Sequence, residues 1–104
     1  MTRAILSPVA RPSRLEAGVV DAWLKDNPAW AREGEALVRT FRTPDFAAAL
    51  ALAVRVGMAA ERRDHHPDIL VGWGKARFAW TTHDAGGITE LDLELARITD
   101  TLAG

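Results

Sequence analysis

The chain has three histidines, and all of them fall between residues 65 and 83. His65 and His66 stand side by side in "ERRDHHPD", with Asp64 before them and Pro67 behind, and His83 follows in "TTHDAGG". Imidazole changes charge near neutral pH, so it can both give and take a proton there. Two imidazoles on opposite sides of a small substrate can remove one proton and deliver another, which is what elimination of water requires. Two other readings compete. Imidazole also suits zinc or iron, with Asp64 or Asp84 available to join; against this, adjacent histidines in extended chain point apart, and no HxH or HxxxH spacing is present. In the plainest reading the three are loop and helix-end residues without a special task.

For two separate stretches to make one site, the elements between them must bring them together. Pro67 ends any helix before it and biases His66 toward an extended backbone. Residues 68–73 and 75–82 read as a pair of strands. In "KARFAWTTH", Ala76, Phe78 and Trp80 fall on one face, with Lys75, Arg77, Ala79 and Thr81 on the other, the period of a strand with one side buried. If the two strands form a hairpin, the start of one lies beside the end of the other. His83 then comes close to His65 and His66.

The rest of the chain supplies a frame for that hairpin. Thr43-Pro44-Asp45 reads as a helix start, with threonine as cap, proline at the first helical position and aspartate at the positive end of the dipole. Behind it, Phe46, Leu50, Ala53, Val54, Gly57, Met58 and Glu61 recur at intervals of three and four, and the small residues would let this helix pack close to a sheet. Upstream, Ser13 and Glu16 fit a capping box for a helix with Leu15, Val19, Val20, Trp23 and Leu24 as its stripe, stopped at Asn27-Pro28. Residues 30–33 and 36–42 read as two short strands around Gly34. Gly86-Gly87 breaks the last strand, Thr89 and Asp92 offer a second capping box, and Leu91, Leu95, Ile98 and Leu102 form the final core stripe. The expected order is α-β-β-α-β-β-α. It implies an α+β fold, a four-stranded antiparallel sheet with three helices packed on one face.

Composition narrows the function classes. At 104 residues there is material for one domain, here 13–104, behind a leader of residues 1–12 marked by Pro8 and Pro12. Thirteen basic residues balance fourteen acidic ones for a net charge of −1, so no footprint for nucleic acid or a membrane surface is present. The absence of cysteine excludes disulfides, thiolate catalysis and cysteine-type zinc sites. No apolar run near the start is long enough for a signal peptide or a membrane span, so the cytoplasm is the expected location.

With these residues in place, the chain resembles the pterin-4a-carbinolamine dehydratases from about Trp30 to the C-terminus. One block, Glu61-Arg62-Arg63-Asp64-His65-His66-Pro67, matches the family's acidic residue, spacer and Asp-His-His-Pro. A second, Thr81-Thr82-His83-Asp84 followed by small residues and a helix opening at Thr89, matches in order and spacing, and Phe41 with Asp45-Phe46 matches the family's "F…DF". Departures fall at Thr43, Ile69, Trp73 and Ala76. The resemblance implies loss of the 4a-hydroxyl from a 4a-hydroxytetrahydropterin, giving quinonoid dihydropterin that can be reduced and reused, with no cofactor or metal. It implies His65, His66 and His83 as the catalytic set, Asp64 as a support for a neighbouring imidazole, and Thr81, Thr82 and Asp84 around the pterin. Glu61 and Trp30 join the implied binding residues; the competing readings are an inward strand residue for Thr82, a solvated helix end for Glu61, which is the ordinary place for a charged residue there, and a core aromatic for Trp30. The implied partners are the pterin, further copies of the chain in a dimer or tetramer, and an aromatic amino acid hydroxylase as functional neighbour. Related proteins that lack the histidines act as assembly factors, so a dimerisation or assembly role is the alternative.

Overall fold

In the computed structural model residues 12–104 are described, so the expected leader falls, apart from Pro12, outside them. The elements run α1 (Ala17–Asp26), β1 (Ala31–Glu33), β2 (Ala36–Arg42), α2 (Phe46–Arg62), β3 (Asp68–Gly72), β4 (Lys75–Trp80), a single 3₁₀ turn at His83–Ala85, and α3 (Glu90–Ala103). This is the order read from the sequence. The strands form one antiparallel sheet in the order β1-β2-β4-β3. The β3–β4 hairpin turns at Trp73-Gly74, where Gly74 has a φ of +73° and its carbonyl accepts from the Thr43 amide at 2.9 Å. A side chain there would carry left-handed strain, which glycine avoids.

Register puts the bulky residues on one face. Leu37 lies opposite Trp80, Phe41 opposite Ala76, and Ile69 opposite Phe78. Leu37, Ala76, Phe78 and Trp80 are fully buried, and the core they start also takes Val20 from α1, Leu52 and Val56 from α2, and Leu95 from α3. The three helices therefore cover that one face. The opposite face carries polar cross-strand contacts such as Arg77 to Glu33 at 2.6 Å.

Three local expectations change. α1 begins at Ala17, and Glu16 occupies the cap without a side-chain hydrogen bond, so Ser13 and Glu16 form no capping box. Tertiary pairing claims that backbone instead: Arg14 bridges Thr89, and the Leu15 amide donates to the Ile88 carbonyl at 2.8 Å. α2 is capped by Asp45, whose carboxylate accepts from the Ala48 amide at 2.8 Å, while Thr43 Oγ1 bonds the Asp45 carbonyl in the turn before it. Finally, the larger members of the α2 stripe face outward: Phe46, Leu50, Val54 and Met58 are 45–59% exposed. Ala49, Leu52, Ala53, Val56, Ala59 and Ala60 are the buried face. Both faces of this helix are apolar, and the alanine-rich one lies against the sheet because small side chains permit close approach to Phe78 and Trp80.

Candidate active site

The histidine pair is aimed by the end of α2. The Asp64 amide donates to the Glu61 carbonyl at 3.1 Å and the His65 amide to the Ala60 carbonyl at 3.2 Å, the paired bonds of a Schellman motif. That motif needs a left-handed residue, and Asp64 supplies it with a φ of +49°. Aspartate tolerates this region better than most residues with a side chain. The reversal turns His65 inward, where it is buried, and leaves His66 exposed.

His65 is held on two sides. Its ring stacks nearly parallel to Trp80, with centroids 6.0 Å apart and planes 13° apart. Trp80 is itself fixed, its indole N–H donating to Thr99 Oγ1 at 3.1 Å. His65 Nε2 donates to Asp92 Oδ1 at 2.6 Å. Asp92 is fully buried, so its charge must be met by donors. Its other oxygen accepts from the Thr82 hydroxyl at 2.7 Å and the Thr89 amide at 2.8 Å, and Thr89 Oγ1 lies 2.9 Å from Thr82 Oγ1. One carboxylate thus caps α3 and fixes an imidazole at the end of α2. With Nε2 spent on Asp92, Nδ1 is the nitrogen His65 has left for a substrate.

The other two histidines are placed differently. His66 Nε2 lies 2.8 Å from Glu61 Oε1, and both side chains are exposed. His83 opens the 3₁₀ turn after β4 and is exposed. An open cleft of ≈ 350 Å³ between the two regions is lined by Asp64, His65, His66, Pro67, Asp68, Thr81, Thr82, His83 and Asp84. The hairpin therefore brings all three histidines to one cleft. Of the other residues singled out from the sequence, Asp64, Thr81, Thr82 and Asp84 line it, and Glu61 touches it through His66. The Thr81 hydroxyl donates to the Glu35 carbonyl, and that of Thr82 is committed to Asp92. Trp30 is elsewhere. It is buried in the core among Trp23 and Phe41, with its indole N–H on the Asp100 carboxylate at 3.0 Å. Among the described residues, no group of three histidine or acidic side chains is placed to hold one metal ion.

Asp92 is the site residue that sequence reasoning missed, having been read only as a cap. A signal for it was present. Asp92 shares helical spacing with Leu95, Ala96 and Thr99, all buried, and a carboxylate on a buried stripe requires a donor to pair with. Its partner stands 27 residues away, beyond the reach of any local pattern.

Comparison with known proteins gives the same picture along nearly the whole chain. The family model for pterin 4 alpha carbinolamine dehydratase matches residues 13–102. A protein of Nocardia farcinica named as a candidate pterin-4-alpha-carbinolamine dehydratase is 49% identical over 77% of this chain and 84% of its own length. One of the same name from Chloroflexus aurantiacus is 43% identical over 88% of this chain and 98% of its own. Among solved structures, a transcriptional coactivator/pterin dehydratase from Brucella melitensis superimposes with a TM-score of 0.83 at 30% identity, covering 88% of this chain and all of that one. A pterin dehydratase-like RuBisCO assembly factor of the alpha-carboxysome shares the fold with a TM-score of 0.59 at 21% identity, over 72% of this chain and 87% of that one. With a hairpin that closes the two histidine blocks onto one cleft, and with relatives matched along most of their length, the chain belongs to the pterin-4a-carbinolamine dehydratase family.

Proposed function

We propose that this protein dehydrates 4a-hydroxytetrahydropterin to quinonoid dihydropterin by histidine acid–base catalysis, and that it thereby supports recycling of tetrahydrobiopterin after an aromatic amino acid hydroxylase. The observation that carries this reading is the convergence of His65, His66 and His83 on one cleft. The reaction breaks two bonds on neighbouring ring atoms, C4a–OH and N5–H, and makes the C4a=N5 double bond. An acid must meet the departing hydroxyl and a base the N5 proton. His65 suits the base. Asp92 fixes the tautomer that leaves Nδ1 unprotonated, and its carboxylate balances the charge the ring gains when Nδ1 takes the proton. The exposed His66 and His83 suit the acid, since water can reprotonate them between turnovers. Net proton consumption is zero, and the acid's proton leaves with the hydroxyl as water. No cofactor or metal enters the scheme.

Stopped-flow decay of the 4a-carbinolamine tests it. The wild-type protein should accelerate the decay over buffer, and His66→Ala and His83→Ala should fold yet lose most of that acceleration; no acceleration by the wild type would sink the enzyme reading. Metal analysis of the purified protein is the control, and a stoichiometric metal would favour the metal reading. We further propose that the chain works in the cytoplasm as a homo-oligomer, a dimer or tetramer. The second reading, a dimerisation or assembly partner, draws on the likeness of fold to the RuBisCO assembly factor. A protein without dehydratase activity that still assembles would favour it.

A further inference from the structure

α3 presents a second polar side chain beneath the site. Thr99 stands about two helical turns beyond Asp92, so the two share one face of the helix, and both are fully buried. A hydroxyl on an apolar stripe is costly unless its bonds are made, and those of Thr99 run in a fixed direction. Its single proton goes to the Leu95 carbonyl at 2.7 Å, one turn back. The oxygen is then left to accept, and it takes the indole N–H of Trp80 at 3.1 Å. Packing alone would not call for this pair. Phe78 fills the same face of β4, fully buried, with no polar atom to satisfy.

The pair matters to His65 because one contact cannot aim a ring. The bond from Nε2 to Asp92 Oδ1 fixes one atom of the imidazole and lets the ring rock about it. A flat neighbour fixes the plane. Trp80 is that neighbour, its ring 13° from parallel with centroids 6.0 Å apart. An indole can itself turn about its bond to Cβ, where the torsional wells are broad. The N–H held by Thr99 stops that turn. Asp92 thus holds a point of His65, and Thr99, through Trp80, holds its plane. Point and plane together set the direction of Nδ1.

We infer that Thr99 and Trp80 are positioning residues for His65, and that the proton-transfer step depends on them while pterin binding does not. This rests on the dehydratase reading for the role of Nδ1.

The test measures kcat and KM for carbinolamine dehydration, together with the ring-proton resonances of His65, which the indole ring current displaces. It uses wild type, Thr99→Val, Thr99→Ser, Trp80→Phe and the double variant Trp80→Phe/Thr99→Val, each checked by thermal melting to be folded at the assay temperature. Thr99→Val keeps the branched shape and removes the acceptor. It should lower kcat about tenfold with KM within about twofold of wild type, the mark of a misaimed group and not of lost binding. It should also move the His65 resonances. Thr99→Ser keeps the hydroxyl and should restore both, although the lost methyl lowers its melting temperature. Trp80→Phe should lower kcat with KM again unchanged, and adding Thr99→Val to it should change kcat no further, because a phenyl ring has no N–H to hold. An unchanged kcat in Thr99→Val or in Trp80→Phe overturns the inference. So does a loss that serine fails to rescue, or a further loss in the double variant. Should Thr99→Val not fold, Trp80→Phe and Thr99→Ser carry the same comparison. A wild type that gives no acceleration overturns the dehydratase reading instead, and the spectra then decide alone: His65 resonances indifferent to Thr99→Val and to Trp80→Phe mean that neither residue sets the ring.

Discussion

In the proposed mechanism, the interaction between His65 and Asp92 serves stability and chemistry together. The 2.6 Å bond between them is buried, and Asp92 also accepts from Thr82 and Thr89. Asp92→Ala should cost about 2–4 kcal/mol, since it leaves a buried imidazole and a helix-start amide unpaired. That variant cannot separate the two roles, but Asp92→Asn can. An asparagine oriented with its oxygen toward Thr82 and Thr89 presents its NH₂ to His65 Nε2. The imidazole must then accept at Nε2 and carry its proton on Nδ1, the nitrogen the base needs unprotonated. Asp92→Asn should stay folded within about 1–2 kcal/mol of wild type while dehydration falls by a factor on the order of 10²–10⁴. Nitrogen-15 spectra of the His65 ring should show the tautomer exchanged. Full activity in this variant would remove His65 from the base role.

Between elements, two contacts couple the end of α2 to α3. Inside lies His65–Asp92, and outside lies Arg63–Glu94 at 2.9 Å. The hydrogen bond from Arg63 holds the Glu94 carboxyl below its usual value, against a smaller opposing effect of burial, with Arg63 and Arg97 adding attraction. A carboxyl depressed in the folded state contributes stability above its unfolded value and loses it as pH falls through the folded one. The pair is exposed, so Glu94→Gln should cost no more than about 0.5–1 kcal/mol at neutral pH; the difference should vanish in urea titrations carried below the carboxyl range. A gap that persists in acid would mean that packing, not charge, holds these helices. The left-handed Asp64 makes a sharper prediction. Asp64→Gly should leave stability unchanged or raise it by up to about 1 kcal/mol, while Asp64→Val should lose about 1–2 kcal/mol. Thermal melts decide, and a valine variant as stable as wild type would refute the strain. Much at this scale was legible in the sequence. The alternation of Ala76, Phe78 and Trp80 located β4, and the hairpin then predicted that His83 meets the histidine pair. What was not legible depended on distant partners. Ser13 looked like a cap until Arg14 and Leu15 found Thr89 and Ile88. The periodicity of α2 revealed an apolar stripe without telling which of two apolar faces the sheet would take.

At the scale of the whole molecule, the outward face of α2 is left exposed by the described residues. Phe46, Leu50, Val54 and Met58 succeed one another every four residues, so they form a continuous ridge along the helix, and each is 45–59% exposed. Gly57 sits beside this ridge with open space around it, although glycine inside a helix costs about 1 kcal/mol relative to alanine. No contact among the described residues demands that glycine, whereas close approach of another helix would. A second candidate surface lies at the sheet edge, where β3 is the last strand and exposes Leu70 at 50%, with Trp73 at 75% in the turn that follows it. Two different self-complementary surfaces would generate a tetramer, and either one alone a dimer. The proposed oligomer thus yields a graded expectation, read by sedimentation or by light scattering on a sizing column. If the wild type is a tetramer, Val54→Glu should buckle only the helix contact and leave dimers, Leu70→Lys should release the edge contact and also leave dimers, and the double variant should be monomeric. If the wild type is a dimer, just one of the single changes should split it, and that one names the contact. Both positions are exposed, so the monomers should keep their far-ultraviolet circular dichroism. A wild-type chain that sediments as a monomer at all concentrations would rule out the oligomer and leave the ridge on α2 to a different partner.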